Sequence, residues 1–168
     1  MRTTRSSLAA VAERLVINTG PVVALARIGE LDLVPRLGLE VVCPSEVRAE
    51  LDAGVAAGHP AADTPWITVI PLTAAPSPIA AIVLDAGEAA VIQLALELRA
   101  TRVCIDDWKG RRAAKAVGLT VTGSLGLLLR ARTLGLIPAV RPLIERAVAA
   151  GVGYDAELIR RVLASVGE

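Results

Sequence analysis

Two adjacent carboxylates, Asp106 and Asp107, follow directly on the apolar run Val103-Cys104-Ile105. Side by side they repel each other, and either a cation or a hydrogen-bonding loop has to offset that repulsion. The pair suits Mg²⁺ or Mn²⁺, which take oxygen ligands, and it equally suits an Asx cap opening the next helix. Glu88, in Asp85-Ala86-Gly87-Glu88, presents the same choice. It is either the partner of Asp85 in a capping box or a carboxylate at a helix start that faces a site. Glu46 and Glu50 lie one turn apart on a helix face; both are surface groups, or one is directed inward. Thr122-Gly123-Ser124 offers hydroxyls and free N–H groups at a helix N-terminus, where a phosphate can be held, or Ser124 simply caps that helix. Acids converging from these segments around one or two divalent ions could support phosphodiester hydrolysis, which needs an activated water and a stabilised leaving oxygen. Without the ion, several carboxylates within a few ångströms would force some of their pKa values upward.

The elements that would position these groups are legible from the apolar pattern. Short apolar runs at 15–17, 41–43, 66–70, 102–105 and 119–122 read as five strands. Helical stretches fall between and after them, at 21–28, 31–37, 44–51, 85–100, 109–117, 125–133, 138–150 and 155–166. Pro21 suits a first helical turn, Gly29, Gly38 and Gly118 stop helices, and Ser124 reads as an N-cap. Residues 54–64 and 71–78 are rich in Gly, Ala and Pro and read as loops. Strands alternating with helices predict a three-layer α/β/α fold with a mostly parallel sheet of about five strands. Such open sheets place their sites outside the carboxyl ends of the strands, which draws Asn18, Asp106, Asp107 and Thr122 together. The expected organisation is a tail over residues 1–13 and a single domain over 14–168, without internal repeats.

Composition narrows the function classes. Apolar residues make up 54% but aromatics only 2%, with no Phe, so the core has to be built from Leu, Val, Ile and Ala. The formal net charge is +1, which gives no global basic field; nucleic-acid binding would have to rest on a local arginine face. Arg111 with Arg112, Arg130 with Arg132, and Arg160 with Arg161 are the candidates, each otherwise a solvated helix face. Cys43 and Cys104 have no CxxC spacing, and His59 is the single histidine, so a zinc site is not expected. Both thiols read as buried groups in a reducing compartment, and His59 as an exposed loop residue. No apolar run reaches the length of a membrane span, and the run at 8–12 is too short for a signal peptide. A cytoplasmic location is expected, with a transit peptide as the alternative reading of the N-terminal segment.

Five segments in order resemble PIN domains. Asn18-Thr19-Gly20-Pro21-Val22, then Ala24-Leu25-Ala26, is similar to that family's D-T-S-P-L-I-A-L opening. Pro44-Ser45-Glu46-Val47-Arg48-Ala49-Glu50 resembles its P-x-x-V-x-x-E segment, and Gly87-Glu88-Ala89-Ala90-Val91-Ile92-Gln93-Leu94-Ala95 its G-E-x-x-A-I-x-L-A helix. Ile105-Asp106-Asp107 with Arg112 and Ala114 resembles I-D-D-x-x-A-R-x-x-A. Val121-Thr122-Gly123-Ser124-Leu125-Gly126 resembles V-T-G-T-x-G. The similarity runs from about residue 15 to residue 136 and is to the branch related to VapC-type toxins. It implies an Mg²⁺- or Mn²⁺-dependent endoribonuclease, RNA as substrate, a small antitoxin partner, and homodimers. Asn18, Glu50, Glu88 and Asp106 would form the acidic quartet, with Asp107 as auxiliary ligand. Glu88, Asp106 and Asp107 would hold the metal, and Thr19, Arg112, Thr122 and Ser124 would bind substrate.

The first acidic position departs from the family pattern: Asn18 stands where the family has aspartate. The amide keeps a carbonyl oxygen but loses a full negative charge. A second reading is therefore a weak or inactive PIN-like module that binds RNA or protein. A third, a receiver-like or phosphatase-like domain built on Asp106 and Asp107, would want an acid after the first strand, where the chain offers Asn18.

Overall fold

The computed structural model describes residues 12–60 and 62–168. The expected tail and its apolar run fall almost wholly on residues 1–11, outside the described residues, while Glu13 already belongs to the first strand. Five strands form one sheet: β1 (Glu13–Ile17), β2 (Leu39–Cys43), β3 (Thr68–Val69), β4 (Arg102–Cys104) and β5 (Thr120–Thr122). Every pairing is parallel and the order is β3-β2-β1-β4-β5. Leu15, Val16, Ile17, Val42, Cys43, Val103 and Cys104 are all buried, as they must be when both faces of a parallel sheet are covered. Both cysteines are free and buried, as their apolar surroundings predict, and burial pushes the Cys43 thiol up to about 11.

The covering helices are α1 (Thr19–Arg27), α2 (Ser45–Ala56), α3 (Pro78–Val83), α4 (Ala86–Glu97), α5 (Trp108–Ala116), α6 (Ser124–Thr133), α7 (Arg141–Ala149) and α8 (Ala156–Ser165), with a 3-10 helix at Leu31–Leu37. α4 packs on β1 and β4 and against α2, α3 and α5, whereas α1 packs with α6 and α7. This is the three-layer α/β/α arrangement. Strand order reverses between β1 and β4: β1 leads through α1 to its neighbour β2, and β4 leads through α5 to its neighbour β5. The two connections diverge, leaving a crevice above the carboxyl ends of β1 and β4, where open sheets bind their ligands. Among the described residues no helix is long and apolar enough to cross a membrane.

Three local readings are corrected. β3 covers only Thr68 and Val69, because Trp66 and Ile67 lie in the turn that precedes it. Ser124 is not the N-cap of α6; Gly123 takes that place and Ser124 is the first helical residue. Its N–H is drawn to a side chain across the crevice instead. Sequence periodicity places no helix at α3, since that helix buries none of its own residues. Ser77 caps it through the Ala80 N–H, yet Ile79 is 75% and Ile82 84% exposed. The loop before α3 is tied down by Glu97, whose carboxylate accepts the Thr73 and Ala74 N–H groups at 2.9 and 3.0 Å.

Burial therefore separates apolar residues of similar size. Leu94→Ala, in the solvent-free face of α4, should cost about 2–5 kcal/mol in urea denaturation. Ile82→Ala should change stability by no more than about 0.5 kcal/mol, as a surface substitution does.

Candidate functional site

The crevice is lined from the strand ends upward. Asn18 follows β1, is 6% exposed, and donates its backbone N–H to the Cys104 carbonyl of β4 at 2.9 Å. Its side-chain Oδ1 is buried and has no hydrogen-bond partner among the described residues. A buried acceptor in that state has lost its hydration without replacement, a cost that a bound donor or cation would remove.

Next to it, the Thr19 hydroxyl donates to Glu50 Oε2, which fixes the α2 glutamate against the start of α1. The same carboxylate lies on Gly87 near the start of α4: a Cβ there would come 2.6 Å from both Glu50 oxygens. Glu46, one turn earlier, is half-buried and its Oε2 also lacks a partner.

Glu88 makes the capping box of its first sequence reading. Its N–H donates to Asp85 Oδ1 at 2.7 Å and its Oε2 receives the Asp85 N–H at 3.4 Å, which completes a capping box. It is nevertheless only 3% exposed, and its carboxylate rests on Gly110 of α5, where a Cβ would come 3.0 Å from Oε1. Asp107 caps α5 through the Lys109 N–H at 2.8 Å and is exposed, so the Asx-cap reading of that residue holds. Asp106 turns the other way. Its Oδ1 accepts the Ser124 N–H at 2.7 Å and presses on Gly123, while its Cβ stands beside Gly20 of α1.

The expected substrate-binding residues divide. Thr19 spends its hydroxyl on Glu50, and the Thr122 hydroxyl lies in close contact with Gly126. Ser124 is fully buried and shares a 2.6 Å hydrogen bond with Tyr154 Oη. Arg112 is exposed and lies over the Trp108 ring, 5.4 Å from its centroid. Its neighbour Arg111, 100° around the helix, points to the strand ends and donates to the carbonyls of Ile105 (2.7 Å) and Thr122 (3.2 Å). The other arginine pairs are largely structural: Arg130 donates to the Leu37 carbonyl at 2.9 Å, Arg132 approaches Glu168, and Arg160 pairs with Glu157. Tyr154 and Trp108 were not singled out by sequence, although Trp108 immediately follows the acidic pair. Both line a groove of about 760 Å³ that runs from Asp106 and Asp107 along α6 to α8.

Crowding leaves an electrostatic signature. Burial, then the charges of Asp85 and Asp107, push the Glu88 carboxyl up to about 7. Burial also raises Asp106 above the usual carboxylate range, against the opposing pull of the Ser124 N–H and the Arg111 charge. The donors fit a hard divalent cation in kind, being all oxygen, one of them the orphaned Asn18 amide. They are not massed: among the described residues no group of three or more His, Cys, Asp or Glu side chains is gathered closely enough to hold an ion. A magnesium-like ion that keeps several waters requires only one or two carboxylates, so the sparse set remains compatible with it.

Against known families, the model described as DUF3368: PIN domain matches residues 14–168. No curated protein and no solved structure matches the chain.

The raised Glu88 gives a pH test. Between its ordinary value of 4.5 and about 7 the folded protein keeps the proton and the unfolded chain does not. Stability contributed by this group is therefore present at low pH and lost as pH rises through that window. In chelator, the wild-type Tm should fall by several degrees between pH 5 and pH 8. Glu88→Gln, which keeps an acceptor for the Asp85 N–H, should flatten that slope. Parallel slopes in the two proteins would remove Glu88 as its cause.

Proposed function

Because the chain belongs to the PIN-domain family, we propose that it is an Mg²⁺- or Mn²⁺-dependent endoribonuclease that cuts RNA in the crevice above β1 and β4. We assign it as the toxin of a pair with a small antitoxin protein, acting in the cytoplasm as a homodimer, with residues 14–168 as one working domain. The observation that carries the reading is the buried, unpartnered Oδ1 of Asn18 beside the strand end that bears Asp106. An acceptor left bare next to carboxylates whose pKa values are raised is an environment that favours a cation.

In this reading one or two of Asp106, Glu88 and Asp107 hold the ion, and the Asn18 amide oxygen completes the set. When bound, such an ion polarises the phosphodiester and offsets charge on the leaving oxygen. The protein's own part is positioning. The Ser124 N–H fixes Asp106 by one oxygen, and Arg111 ties the Ile105 and Thr122 carbonyls so that the β4 and β5 ends keep their spacing. Glu50, held by Thr19, brings a further negative charge to the rim, where it can orient an attacking water.

A second reading, binding without cleavage, is favoured by one specific combination. Asn18 removes a charge, and the acids are not gathered in threes among the described residues.

Calorimetric titration with Mn²⁺ separates the two. Micromolar binding by wild type, lost in Asp106→Asn with an unchanged circular dichroism spectrum, supports the nuclease. Asn18→Asp should then tighten binding by about tenfold, the scale of one added charge at short range in a partly hydrated site. Silence in wild type with binding restored by Asn18→Asp would instead assign the crevice to a module that has lost its ion.

A further inference from the structure

The chain contains only three aromatic side chains, Trp66, Trp108 and Tyr154. Trp66 packs against the core, whereas the other two line the groove that opens at Asp106 and Asp107. Trp108 is 58% exposed on the first turn of α5. Its indole is open to the groove, where it offers a ligand a large flat face. Arg112, one turn on, lays its guanidinium over the ring, which holds the indole as a charged, flat platform.

We propose that Trp108 and Arg112 form a stacking subsite for an unpaired nucleobase of RNA, next to the crevice, with the groove toward Tyr154 receiving the base. The proposal rests on the nuclease reading above and names how its substrate is gripped. Charge selects the base over the phosphate. Away from the ion's ligands the groove is bordered by Asp155, which repels an anion but can accept a hydrogen bond from a base N–H group. Arg111 is committed to the Ile105 and Thr122 carbonyls, whereas exposed Arg112 can also meet the adjoining backbone. Single-stranded RNA presents unstacked bases of this kind, and every base has a π-face that an indole can meet.

The test compares a five-nucleotide single-stranded RNA with the same backbone carrying abasic sites, titrated into the full chain in chelator and followed by fluorescence anisotropy. Trp108→Ala should weaken binding of the base-bearing oligomer by about tenfold, the lower range for loss of one stacked base, and leave the abasic oligomer unchanged. Trp108→Tyr, which restores a stacking face, should recover most of the loss. Equal loss on both oligomers, or none on the base-bearing one while wild type still binds it, overturns the subsite and leaves RNA binding intact. Failure of wild type to bind either oligomer overturns the RNA reading, and the subsite falls with it.

Discussion

Carboxylates shut away from water at the open end of a parallel sheet need something to replace their hydration. Here the replacement comes from the starts of the neighbouring helices. Glu50 lies on Gly87, Glu88 on Gly110 and Asp106 on Gly123, each glycine within the first turn or at the cap of α4, α5 or α6. Helix starts carry unpaired N–H groups and the positive end of the peptide dipoles, so they are where a negative charge is least costly. A side chain at Gly87 or Gly123 would occupy the space that the carboxylate takes. The sheet order, the divergence of α1 and α5 and the small residues at the helix starts all serve this one requirement.

The requirement is met incompletely. Hydrogen bonds hold Asp106 and the capping box holds Glu88, yet both carboxyls still rise above their ordinary range, and Asn18 keeps a bare acceptor. A protein that needed only stability would fill such a space with apolar side chains. Asn18 also tempers the crowding: with aspartate at 18, one more charge would press on Asp106 across the β1–β4 boundary.

Much of this was visible in the chain itself. The strands announce themselves because both faces of the sheet are covered, so 15–17, 41–43 and 102–104 are unbroken apolar runs. Asp106 and Asn18 could be placed at the crevice because they directly follow such runs. What pattern reading missed lies where burial and periodicity part company. α3 exposes its apolar residues and so leaves no helical pattern to read, and β3 is cut short by the turn at Trp66. Neighbouring arginines are indistinguishable by composition, so which of Arg111 and Arg112 turns inward is decided only by helix phase against the β4–β5 ends. Ser124 looks like a cap, but a fully buried hydroxyl beside Asp106 does better with Tyr154, a partner that sequence distance conceals.

That last contact sets an order of events. Asp106 is held by an N–H 18 residues downstream, and the residue bearing that N–H is held by a phenol 30 residues further on. A chain emerging from the ribosome presents its acids first, the strap that orients them next, and the brace for the strap last of the three. A nascent chain therefore carries these acids before it carries the groups that hold them in place.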